Sequence, residues 1–155
     1  MQGSLKLHAI GLGFAIAGMA PLAVVAQDKE KVIAQRQDLM KRQVRDWIVI
    51  RNYLAGNADQ QTAAAAADAL VKSVPTVPNY FPPGTAGPTP DGKWATKPEV
   101  FTEHDKFLAA VKKVSEQVKA LDAAVKSGDK AKVDVAFKEL DTCNACHNTF
   151  RTKLE

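Results

Sequence analysis

The sequence predicts an all-α fold built from four helical segments. Three observations carry this: apolar residues recur at spacings of three and four in four separate stretches, capping patterns open two of them, and no stretch alternates convincingly with period two. With 155 residues, 46% of them hydrophobic, the composition suits one globular domain.

The N-terminal stretch lies outside that fold. Lys6 supplies a positive n-region, Ile10 to Met19 an apolar core, and Val24-Val25-Ala26 small residues at a cleavage site. The expected cut falls between Ala26 and Gln27. Residues 1–26 are thus read as a cleaved secretory signal peptide, and residues 27–155 as a single domain in the periplasm. A retained anchor is the competing reading, but the apolar run is short and Pro21 interrupts it, so no stable membrane insertion is expected after cleavage. The formal charge of +4 falls by one when Lys6 leaves. The remaining lysines are spread between acidic residues along the helices, which gives nucleic-acid binding no support.

The first helix is expected over Asp28 to Leu54, with Ile33, Met40, Val44, Trp47 and Leu54 facing inward and Gly56 as its stop. A capping-box pattern, Asn57-Ala58-Asp59-Gln60, then opens a second helix that runs through the Ala63 to Ala67 tract to about Ser73. That tract reads as a smooth face along which a neighbour can approach closely. From Val74 to Trp94 the proline density forbids a helix or a central strand. Val74, Val77, Tyr80 and Phe81 nevertheless suggest that this connection packs along the bundle. Thr96-Lys97-Pro98-Glu99 is a second capping box, with proline in the first turn. After it Val100, His104, Phe107, Val111, Val114, Val118, Leu121 and Val125 form a seam with the spacing of one helix in a left-handed bundle. Ser127-Gly128-Asp129 ends it and caps a fourth helix, which carries Val133, Phe137, Leu140, Cys143, His147, Phe150 and Leu154 on one side.

Cys143-Asn144-Ala145-Cys146-His147 is the most informative stretch. Two thiols at this spacing can add to the two vinyl groups of a haem, and the adjacent imidazole can bind its iron. On a helix Cys146 lies about 60° to one side of Cys143 and His147 about 40° to the other, so all three share a face. Three alternatives fit less well. A thioredoxin-like pair should follow a strand, and none is predicted here. A zinc site needs four ligands, yet there are only two cysteines and His104 is the one other histidine beyond the leader. A disulfide between residues three apart is awkward within a helix.

The attachment motif sits near the C-terminus, and there the chain resembles the class II c-type cytochromes, the cytochrome c′ family. The resemblance is carried by Cys143-Asn144-Ala145-Cys146-His147-Asn148-Thr149-Phe150-Arg151, by Val32-Ile33-Ala34-Gln35-Arg36, and by Pro98-Glu99-Val100-Phe101 with Phe107. It covers essentially all of the chain after the leader, and Phe101 stands where the family often has tryptophan. The resemblance implies an antiparallel up-down-up-down four-helix bundle, an architecture of which cytochrome c′ is itself a standard instance. It further implies one haem c held by two thioethers on the last helix, with homodimerisation through the first two helices common in the family.

The sixth iron ligand decides between functions. Met1, His8 and Met19 leave with the leader, so Met40 and His104 are the candidates beside His147. By resemblance, the position of Met40 faces the distal side of the haem. Iron held by His147 and Met40 would be closed and suited to electron transfer, whereas an open position would take gas ligands. The favoured expectation is a low-spin periplasmic electron carrier with His147 and Met40 as ligands and unidentified redox partner proteins. The alternative is a high-spin cytochrome c′ that binds nitric oxide or carbon monoxide. His104, on the inward seam, is a weaker candidate for iron. Arg36 is expected to reach a haem propionate, as its family counterpart does, or else to face solvent. Arg151 either tempers the haem's negative charge or faces water. Phe107 and Phe150 are expected to pack on the haem or in the core. No set of residues suggests an enzyme; a peroxidase-like site would need a distal acid–base histidine, and only His104 could serve.

Overall fold

The computed structural model describes residues 22–140 and 143–155, with side chains described for 28–140 and 146–155. The predicted leader falls largely outside the described residues. Four long elements pack as the bundle core: α1 (Leu22–Leu54), α2 (Gln60–Ser73), α4 (His104–Ser127) and α5 (Lys130–Glu139). A one-turn α3 (Glu99–Thr102) precedes α4, and α6 (Cys143–Phe150) follows α5. Among the described residues, no helix is long and apolar enough to cross a membrane.

The alanine tract does what its shape allows. Ala63, Ala66 and Ala67 are buried on α2 beside Leu70, where small side chains let α1 and α4 pack on the helix. The start of α2 is not the expected one. Gly56 adopts φ 81°, and the amide of Asn57 donates to the Asn52 carbonyl, so Asn57 still belongs to the turn that ends α1. Asp59 is the cap instead, its carboxylate accepting from the Thr62 amide at 2.7 Å. The α4–α5 corner follows the sequence reading. Gly128 closes α4 in the left-handed region at φ 74°, and Asp129 accepts from the amides of Ala131 and Lys132 to open α5.

Three expectations about helices are corrected. The proline-rich connection begins with a 3₁₀ helix over Val74–Tyr80, with Pro75 in its first turn, where a missing N–H costs nothing. Its Val74 and Val77 are buried against the bundle, as their apolar character suggested. The second capping box does not form, because Thr96 lies in a strand and its hydroxyl is engaged by Arg36. The fourth helix is divided, and the chain leaves helical geometry at Arg151. The Phe150 carbonyl accepts from the Lys97 amide at 3.0 Å, so a neighbouring strand captures the end of α6.

The result is a small antiparallel sheet that the helical periodicity could not reveal. Its strands are β1 (Gly87–Pro88), β2 (Trp94–Thr96) and β3 (Arg151–Lys153), in that spatial order. Strands of two and three residues are too short to show a period in the sequence. The sheet ties the long connection to the C-terminal segment directly after the attachment motif.

Candidate functional site

Along α1 the buried stripe runs through Arg36, Leu39, Ile50 and Tyr53. Val44, expected inward, is 54% exposed, although Ile33 on nearly the same side of α1 is buried. A charge in the stripe disguised it. Arg36 is only 4% exposed, and its guanidinium makes four hydrogen bonds. Nε donates to the Tyr80 carbonyl at 2.8 Å, Nη1 to the Thr85 carbonyl at 3.0 Å and the Thr96 hydroxyl at 2.8 Å, and Nη2 to the Thr85 hydroxyl at 2.6 Å. Its Cζ also lies 4.0 Å from the centroid of the Phe81 ring. Burial lowers its pKa to about 10, so it remains charged at neutral pH. Each of these four acceptors is neutral. The side chain pins the 80–96 connection to α1, a role that the sequence reading missed for Arg36 and for its partners Thr85 and Thr96.

Beside this cluster lies a cavity of about 770 Å³ bounded by α1, the 3₁₀ segment, β2, α4 and α6. Its walls include Met40, Phe81, Phe107, Val111, Val118, Leu140, Cys146, His147 and Phe150, with Arg36, Trp94 and Arg151 toward the sheet. Phe107 and Phe150 meet edge to face with centroids 5.5 Å apart, and Phe81 approaches Phe107 at 4.9 Å. Val44 and the exposed Lys41 and Arg45 stand in the α1 wall, where the cavity meets solvent. Trp47, stacked on Phe137 at 4.8 Å, forms part of the α1 wall.

His147 is half-buried in this wall. Desolvation, assisted by the charge of Arg151, lowers its pKa to about 4, so at physiological pH it is the neutral imidazole that can ligate iron. The side chain of Cys143 lies outside the described residues. Cys146 and His147 lie on the wall of an apolar cavity within the size range of cofactor sites, and this donor set fits a haem.

Met40, Arg36, Phe107, Phe150, Cys146 and His147 are therefore brought to one cavity. His104 is not. The helix breaks at Glu103 (φ −118°, ψ 43°), which turns the imidazole outward while Val100 and Phe107 on either side stay buried. Its Nδ1 lies 3.3 Å from the Val100 carbonyl.

Comparison with known proteins adds the family. A family profile described as "Cytochrome C′" matches residues 31–151. A cytochrome c′ of Rhodospirillum rubrum is 30% identical over 137 residues, covering 88% of this chain and 87% of the relative. Among solved structures, one described as a cytochrome c′ with an unusual ligand-controlled dimer dissociation superposes with a TM-score of 0.74 at 23% identity, covering 81% of this chain and 97% of that one. A nitric oxide complex of a mutant cytochrome c prime from Alcaligenes xylosoxidans gives 0.71 at 24% identity, with the same two coverages.

These findings overturn the expectation of a low-spin electron carrier closed by His147 and Met40. The relatives are cytochromes c′, and the solved ones include a protein holding nitric oxide and one whose dimer responds to ligand. Iron that admits an outside ligand needs an axial position that no protein side chain holds, whereas a thioether bond would close it. Cytochromes c′ carry a c-type haem and are not enzymes, and by profile, identity and fold this chain belongs to the cytochrome c′ family.

Proposed function

We propose that the protein is an exported, high-spin cytochrome c′ that binds nitric oxide or carbon monoxide at an open sixth position of a single haem. The observation that carries this reading is the cavity, in whose wall one neutral imidazole, His147, stands among apolar side chains while His104 is turned to solvent. In this reading Cys143 and Cys146 hold the haem by two thioethers and His147 is the proximal ligand. Bound haem supplies an iron centre able to take a diatomic ligand. The chain supplies the rest. Phe107 and Phe150 exclude water with their rings, and Arg36 keeps one wall in place through its bonds to the 80–96 connection. Met40 borders the space on the α1 side without bonding iron and limits the room left for a ligand.

The same reading places residues 1–26 in a cleaved leader and the mature protein in the periplasm. It also includes a homodimer, supported by the dimer of the structural relative, whose dissociation is ligand-controlled. Redox partners would restore the ferrous state.

Electron paramagnetic resonance and carbon monoxide titration of the matured protein test the proposal. The ferric wild type should be high-spin, the ferrous form should bind carbon monoxide, and Met40→Leu should leave the spin state unchanged. A low-spin ferric wild type that turns high-spin in Met40→Leu would overturn it.

A further inference from the structure

The sheet beside the cavity holds a second arginine in a way that the attachment motif does not explain. In β2 and β3, Trp94 pairs with Lys153 and Thr96 with Arg151, so Trp94 and Arg151 are diagonal neighbours on one face. The Arg151 guanidinium carbon lies 3.8 Å from the centroid of the Trp94 ring, within cation–π range. Both strands are fixed from outside the pair. The Lys97 amide donates to the Phe150 carbonyl, and the Leu154 amide to the Lys93 carbonyl, each at 3.0 Å. The Thr89 amide donates to the Trp94 carbonyl at 2.7 Å, and the Trp94 amide donates to the Thr89 hydroxyl at 3.2 Å. Trp94 is thus built into a rigid turn of the connection, while Arg151 follows the haem-binding helix by a single residue. Trp94, Arg151 and His147 all line the same cavity.

We propose that Trp94 is a positioning residue: it holds the Arg151 guanidinium at the His147 wall of the cavity, where its fixed positive charge raises the reduction potential of the bound iron. This rests on the reading of His147 as the proximal ligand. An arginine one turn beyond a half-buried imidazole would otherwise extend into water, where its charge is screened and its side chain samples many rotamers. Stacked on an indole that is itself half-buried, it is held in one place and partly desolvated. A cation kept near iron favours the ferrous state, because reduction removes one positive charge from its neighbourhood. The Pro-rich connection would therefore set the electrostatics of the haem without supplying a ligand.

The test is a double-mutant cycle on haem-loaded, full-length matured protein at low ionic strength, reading midpoint potential and melting temperature. Trp94→Leu and Arg151→Gln should each lower the potential. Trp94→Phe, which keeps a ring face, should stay near the wild type. In the Arg151→Gln background Trp94→Leu should cause no further shift in potential, even though it lowers the melting temperature in both backgrounds. A potential that Trp94→Leu shifts equally in both backgrounds, or leaves unchanged in both, would show that the indole only packs and would overturn the proposal. A wild-type chain that matures without haem would overturn the functional reading as well, so the two failures are distinct.

Discussion

At one end of the bundle Ile50, Leu121, Val125 and Val133 have no exposed surface, and the alanines of α2 bring their neighbours close around them. At the other end Leu39, Val77, Val100, Phe107, Val111 and Phe150 form a smaller cluster beside the cavity, interrupted by the buried guanidinium of Arg36. Ile50, Leu121, Val125 and Val133 are enclosed by their own neighbours and none of them lines the cavity, although Val118 and Leu140 of the same cluster do. The second cluster borders a space that aliphatic side chains do not fill, and its walls are held by hydrogen bonds from one arginine to a loop. Apolar packing makes the bundle; a cofactor and a polar staple complete the site. The contrast teaches that local stability should follow the haem at one end only.

The most drastic way to break the contrast is to remove both thiols. Cys143→Ala with Cys146→Ala should abolish haem retention and leave a helical but loosely packed chain, since large buried voids cost stability roughly in proportion to their volume. Hydrogen exchange should show protection lost around Phe107 and Phe150 and retained around Leu121 and Val133. Uniform loss along the bundle, or an apo-protein melting as sharply as the holo-protein, would contradict the division.

Arg36→Ala should come next. It leaves the Tyr80 and Thr85 carbonyls and the Thr96 hydroxyl without their donor, and unsatisfied buried groups of this kind cost about 1–3 kcal/mol each. A net loss of about 3–5 kcal/mol in urea unfolding is expected, accompanied by faster proteolysis within the 80–96 connection. The smallest effect belongs to the closed end. Ile50→Val removes one methyl group from a fully buried side chain and should cost about 1 kcal/mol without altering the haem spectrum. A spectral change from Ile50→Val would mean that the two ends are mechanically coupled.

Much of the site was legible in the sequence because its chemistry is local. The motif from Cys143 to His147 needs only helical spacing to put two thiols and an imidazole on one face, and Met40, Phe107 and Phe150 were traceable through the resemblance. The corner at Gly128 and Asp129 was readable for the same reason, since a left-handed glycine and an N-cap carboxylate act within one turn. What misled was the assumption of unbroken helices. A single non-helical residue, Glu103, was enough to turn His104 outward, and periodicity counted through it could not register the break.

What the sequence determined by itself was a helical bundle, its principal corner and a Cys-x-x-Cys-His motif on one helical face, because helix periodicity, capping and motif spacing all act within a few residues. Only the tertiary structure decided that Arg36 is a core residue, that Val44 is at the cavity mouth, and that Trp94 meets Arg151. Each of these depends on contacts across more than forty residues of chain, as in the bonds from Arg36 to Tyr80, Thr85 and Thr96. A buried charge looks in sequence like an exposed one, and a strand of three residues has no period to read. The partners that make the charge tolerable and the strand stable are supplied by the fold.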